Sequence, residues 1–196
     1  MATDVLKLTF DTEGGSLIRT EFLKHPADHV SGQTATTTFV LLDQSASRVY
    51  VAQTGLIGGA FPTHKTVMNV SGDRDLKDGS DQLVIKFESP DTGGIKLVKT
   101  YTIKRGAYDI AVKHELVNTG TAPVSPQLYL QLVRDGNKLP GESSFYSTFT
   151  GPAVYTESKK YQKVEFTDIK KSKPERERED NERAPRYTPR GNPYAQ

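Results

Sequence analysis

Apolar residues recur at every second position along most of this chain, and that rhythm restricts the fold more than any other feature. Successive side chains on a strand point to opposite sides of the sheet, so a half-buried strand needs this alternation. Leu6, Leu8 and Phe10 share one face, with Lys7 and Thr9 on the other. Leu83, Ile85 and Phe87 alternate with Val84 and Lys86. Ile95, Leu97, Tyr101 and Ile103 alternate with Lys96, Thr100, Thr102 and Lys104. Tyr108, Ile110, Val112 and Leu116 alternate with Asp109, Lys113 and Glu115, and Leu128, Leu130 and Leu132 with Tyr129 and Gln131. Shorter strands are expected over 17–23, 39–42, 48–53, 67–70, 145–149 and 164–166.

The breaks carry turn chemistry. Gly14-Gly15, Gly93-Gly94, Arg105-Gly106 and Asn118-Thr119-Gly120 separate the runs. Glycine reaches the positive φ that tight connections require. The one helical candidate is a short turn over 157–161. Many short strands joined by Gly/Asn turns predict an all-β, antiparallel sandwich.

Hydrophobic residues make up 35% of the 196, and the deficit is local. From Lys170 to Gln196 there is no Val, Ile, Leu, Phe or Met, so this stretch cannot feed a core. A β-sandwich domain over 1–169 and a charged, Pro-rich, disordered tail over 170–196 are therefore expected. The tail carries eight Lys/Arg and five acids, which leaves 18 bases and 19 acids in the body. The basic balance belongs to the tail and gives no reason to expect a nucleic-acid partner. The chain has no cysteine, which removes disulfides and thiolate chemistry. No apolar run is long enough to span a bilayer.

The candidate chemical groups are sparse. His25 and His29 flank Pro26 in a loop-like stretch without a zinc-protease pattern. His114 falls on the apolar face of its strand, where a satisfied core histidine is expected, and His64 follows Pro62 in a loop. Asp73, Asp75, Asp78 and Asp81 lack the register of a calcium loop and read as a solvated connection. No phosphate-binding loop and no nucleophile elbow occurs. Neither catalytic residue, nor cofactor, nor metal site is expected, and the chain reads as non-enzymatic.

Three stretches resemble one family in order and spacing. Residues 3–26 (TDVLKLTFDTEGGSLIRTEFLKHP) are similar to its opening hairpin with a Gly-Gly turn. Residues 99–124 contain its Lys-Arg-Gly-x-Tyr hairpin, at Lys104 to Tyr108, and the Asn-x-Gly turn that follows. Residues 149–169 (FTGPAVYTESKKYQKVEFTDI) are similar to its Gly-x-x-Tyr, Lys-Tyr-x-Lys and Phe sequence, and AQTGL around Gly55 also fits. On these motifs the chain resembles the front part of the large periplasmic domain of the bacterial membrane protein insertase YidC. The likeness fades after about Pro174.

The resemblance implies an antiparallel β-supersandwich of galactose-mutarotase-like type, ending before the family's later strands. It implies a periplasmic location, in an inner-membrane protein that works with the Sec translocon on inserting membrane proteins. It also implies contact with the SecDF part of that translocon, through a region that maps here onto Tyr146, Phe149, Tyr155, Tyr161 and Phe166. Exposed aromatics suit protein contacts; the competing reading is that they pack a core. Missing later strands would leave open sheet edges and favour self-association. The alternative function is a carbohydrate-binding or carbohydrate-active sandwich, which the absence of Trp disfavours.

Overall fold

The computed structural model describes residues 1–27, 38–137 and 149–170. The chain packs as two units, Met1–Asp135 and Gly136–Gln196.

The first unit holds two antiparallel sheets. One contains β1 (Leu6–Asp11), β2 (Ser16–Pro26), β3 (Thr38–Gln44), β4 (Val49–Ile57) and β9 (Gln127–Arg134), in the order β1-β2-β3-β4-β9, with an added β2–β4 pairing. The other contains β5 (Asn69–Gly72), β6 (Gln82–Glu88), β7 (Ile95–Lys104) and β8 (Ile110–Asn118), in sequence order. The alternation explains the pairing. In β1, Leu6 and Leu8 are buried while Lys7 and Thr9 are exposed. In β6, Leu83, Ile85 and Phe87 are buried and the residues between them face solvent. Leu6, Leu8, Ile85 and Phe87 join Leu17, Leu56, Met68, Ile95, Leu97, Tyr101 and Ile103 in one core between the sheets. Burying each large aliphatic side chain contributes roughly 1.5–3 kcal/mol. Phe10, Phe87 and Tyr101 form a tilted aromatic trio within it, with centroids 4.7–5.8 Å apart.

β7 departs from the pattern read in its sequence. Its inward row is Ile95, Leu97, Lys99, Tyr101, Ile103, and Lys99 is as buried as the leucine beside it. A lysine occupies a core position that the apolar count passes over.

Several local expectations are corrected. His25 and Pro26 lie at the end of β2, not in a loop. The stretch 157–161 is not helical. It turns β10 (Ala153–Thr156) into β11 (Lys160–Lys163), with Lys160 at φ 56°. The stretch 164–166 is not a strand: its last residue opens α1 (Phe166–Lys170), where Asp168 lies in the first turn and Lys170 in the last, each favourable to the helix dipole. Phe149 is outside any strand, and 145–148 lie outside the described residues, as does the tail from 171 onward.

The two sheets do not end flush. Leu56 and Thr54 of β4 face inward and are 1% and 6% exposed. Their register partners on β9, Leu128 and Leu130, are 50% and 76% exposed. β8 crosses over β4, tied by His114 to Thr54. β9 lies one strand further out in the sheet order.

Candidate functional site

The second unit carries the aromatic residues singled out from sequence. Backbone pairing places Tyr155 of β10 directly opposite Tyr161 of β11. Both rings are more than three-fifths exposed, at 63% and 62%. The Lys160 ammonium sits 5.8 Å from the Tyr155 ring centre, and the Lys163 ammonium 5.1 Å from that of Phe149. At these distances a cation is attracted to the ring face. Phe149 and Phe166 are half-buried. Phe149 lies against Gly151, and Phe166 against Gly136 at the head of its unit, where an added Cβ would meet the Phe166 ring at 3.0 Å. Two of the expected residues are therefore exposed platforms and two are local packing. Tyr146 lies outside the described residues.

The first unit contains a buried polar node that sequence reading did not anticipate. Lys99 reaches across the sandwich and donates from Nζ to the carbonyl of Gly14 at 2.5 Å and that of Thr54 at 2.7 Å. Two residues along β7, the Tyr101 hydroxyl donates to the Gly15 carbonyl at 2.7 Å. Both glycines hold positive φ, 71° and 57°. A side chain at either would strike something: Gly14 abuts the His64 carbonyl, Gly15 the Phe87 ring. The Gly-Gly turn is thus wedged between the sheets and held by two side chains from the opposite one. Burial pushes the Lys99 ammonium down to about 8 and the Tyr101 hydroxyl up to about 12. The available signal was positional: Lys99 shares parity with Leu97 and Tyr101.

Two histidines border this node. His114 Nε2 lies 2.9 Å from Thr54 Oγ1. His64 Nδ1 lies 2.5 Å from the Tyr129 hydroxyl, which also accepts from the His64 backbone N–H at 3.0 Å. Burial lowers the pKa of both; the Lys99 charge lowers that of His114 further, while at His64 the Lys65 and Lys99 charges lower it and Glu13 opposes them. Each contributes stability that is present above 6.5 and lost as pH falls through its lower folded value. His114→Gln is expected to flatten the fall in urea-unfolding free energy on acidification below 6.5, a slope read directly against the parent chain.

The other flagged groups have ordinary partners. His25 meets the Tyr108 hydroxyl at 3.1 Å, within a surface cluster where Phe22 stacks on Tyr108. Asp73 pairs with Lys77 at 2.9 Å. No cluster of three His, Cys, Asp or Glu suited to a metal occurs among the described residues, and none of their helices is long and apolar enough to cross a membrane. His29 lies outside the described residues.

The first unit is thus an antiparallel two-sheet sandwich with a core packed by side chains, and the second carries a hairpin that displays paired tyrosines; together they define a chain of all-β class. The chain belongs to the YidC periplasmic domain family, whose model matches residues 1–184. The match runs past Pro174, where the motif likeness was expected to end. Relatives named membrane protein insertase YidC from Bordetella parapertussis and Bordetella pertussis are each 53% identical over 178 residues. One from Ralstonia nicotianae is 46% identical over 174 residues. These matches cover 88% of this chain and 30% of each relative, so the chain spans about a third of their length.

Proposed function

We propose that this chain serves as a non-catalytic periplasmic domain of a membrane protein insertase, and that the β10–β11 hairpin is its contact surface for the SecDF part of the Sec translocon. The observation that carries this reading is the cross-strand pair of Tyr155 and Tyr161, both exposed on a four-residue-strand hairpin. Neither ring is needed to fill a core. Paired tyrosines, with the Lys160 ammonium at the Tyr155 face, form an anchor for a protein partner, since tyrosine brings large contact area at little conformational cost. Phe149 and Phe166 flank the hairpin in sequence and are half-buried, and Tyr146 belongs to the same stretch of sequence. In this role the domain reaches inserting membrane proteins only through the rest of the insertase. The sugar-binding alternative gains no support from relatives named as insertases.

The test is site-specific photocrosslinking from Tyr155 and Tyr161 in the insertase that contains this domain. An adduct with SecDF is expected at both positions. Tyr155→Ala combined with Tyr161→Ala is expected to weaken the contact by about tenfold or more, corresponding to at least ~1.4 kcal/mol. An undiminished SecDF contact in the double variant would sink the assignment.

A further inference from the structure

We propose, resting on the reading of the β10–β11 hairpin as a contact surface, that Lys160 selects an acidic partner there: its ammonium, set beside the Tyr155 ring, receives a carboxylate of the partner protein in place of the one it holds on Glu157.

Lys160 stands in a conformation that lysine adopts at a cost. At φ 56° it is the one non-glycine residue with positive φ among the described residues. Thr156 pairs with Lys160, so Glu157, Ser158 and Lys159 form a three-residue loop between them. The Lys159 backbone N–H donates to Thr156 Oγ1 at 3.1 Å and braces that loop from within. In such connections the residue that ends the loop is left-handed, and glycine meets that demand without strain. A lysine in its place gives up turn stability, and non-glycine residues held in this region cluster where a side chain is put to use.

The contacts that the side chain makes within the hairpin are weak ones. Its ion pair with Glu157 spans 3.5 Å, and the Glu157 side chain is 93% exposed. Water and salt screen a pair of this kind. The ammonium lies 5.8 Å from the Tyr155 ring centre, near the outer limit of a cation–π contact. What the left-handed backbone does secure is position. It holds the ammonium at the rim of the Tyr155–Tyr161 pair, where a partner seated on the rings meets it.

The charge of the hairpin points to the chemistry of that partner. Residues 153–163 carry Lys159, Lys160 and Lys163 against Glu157 alone, a net of +2. A complementary face is therefore acidic. Rings at the centre supply contact area, and a charge at the rim supplies discrimination between partners. Glu157 engages the ammonium when no partner is bound and competes with the incoming carboxylate.

The test is the affinity of the insertase that contains this domain for purified SecDF, measured beside photocrosslinking from Tyr161. Lys160→Gly removes the charge and relieves the backbone. It is expected to raise the thermal midpoint or leave it unchanged, while weakening the contact by about threefold. Lys160→Gln keeps the backbone cost and is expected to weaken the contact equally, whereas Lys160→Arg is expected to retain it. The loss is expected to shrink as salt rises from about 50 to about 500 mM. Glu157→Gln removes the competitor and is expected to strengthen the contact by about twofold. An ion pair that only braced the hairpin would move both partners' variants in the same direction, so the opposed signs mark a contact residue. Undiminished affinity in both Lys160→Gly and Lys160→Gln, with the Tyr161 adduct intact, overturns the role of Lys160 and leaves the contact surface standing. A weakening by Glu157→Gln as large as that by Lys160→Gln overturns it too. No adduct from Tyr161 in the parent chain overturns both readings together.

Discussion

Replacing Lys99 by Ala is expected to lower the unfolding free energy by about 3–5 kcal/mol, a large share of the ~5–15 kcal/mol that holds an ordinary domain together. Two losses combine. Removing the fully buried four-carbon stem leaves a void in the core, which for large-to-small changes costs roughly 2–5 kcal/mol. The carbonyls of Gly14 and Thr54 lose their Nζ donor, at roughly 1–3 kcal/mol for each buried acceptor left unpaired. Relief from burying a charge offsets part of the sum. Lys99→Met separates the contributions, because it keeps most of the stem volume and removes the charge; its cost is expected to be less than half that of Ala. Urea unfolding of the three chains at neutral pH checks the order.

The pH dependence gives the same residue a signature of opposite sign. The ammonium titrates at about 8 in the folded chain against 10.5 in an unfolded one, so the folded state sheds its proton first. The associated stability is complete above 10.5 and disappears as pH falls through 8. The parent chain should therefore become more stable between 8 and 10.5, by an amount on the order of 3 kcal/mol. Tyr101 acts the other way: its pKa rises from 10.0 to about 12, so its share is present below 10.0 and lost above it. Stability should peak near the crossing of these windows. Lys99→Met should erase the rise and Tyr101→Phe the subsequent fall. A flat profile in the parent chain between 8 and 10.5 would contradict the burial of a titrating ammonium.

The second large effect is expected at Gly14. Its φ of 71° is one that residues with a Cβ adopt at a cost, and the added carbon would enter the His64 carbonyl, a backbone group that cannot swing aside. Gly14→Ala should cost about 3 kcal/mol or more. Gly79, at a similar φ of 78° but with nothing within 4 Å of an added Cβ, isolates the conformational part. Gly79→Ala should cost only about 1 kcal/mol. Thermal melts of the two variants, run side by side, measure the difference. Equal shifts would mean that the turn is not wedged between the sheets.

The residues that explain these effects show why parts of the fold were legible in sequence and others were not. β1, β6 and β7 follow directly from alternation, because burial of one face is a property each strand carries in its own sequence; β8 and β9 alternate likewise and form strands, although their apolar rows are largely exposed. β4 is different. Its extension through Gly55 to Ile57 comes from pairing with β9, whose partners lie 70 to 74 positions away in sequence. The stretch 157–161 offered a plausible helical turn, but the pairing of Thr156 with Lys160 closes a hairpin there instead. The tyrosines of the contact surface were visible as residues, whereas their meeting across two strands was not. Lys99 was hidden for a simpler reason: alternation counts apolar residues, and a lysine satisfied by two carbonyls from the far sheet is invisible to that count. His114 was the reverse case, since its place on the apolar face already pointed to a satisfied side chain.

The clasp on the Gly-Gly turn also sets an order of events in time. The two bonds that hold it span 85 and 86 residues of sequence. Closing so long a loop costs entropy before any contact repays it, and contacts of this separation slow folding. As the chain emerges from the ribosome, the β1–β2 hairpin appears early but cannot lock until Lys99 and Tyr101 have followed. The first hairpin therefore gains these two bonds only after β7 has followed it, although its own strands are complete long before.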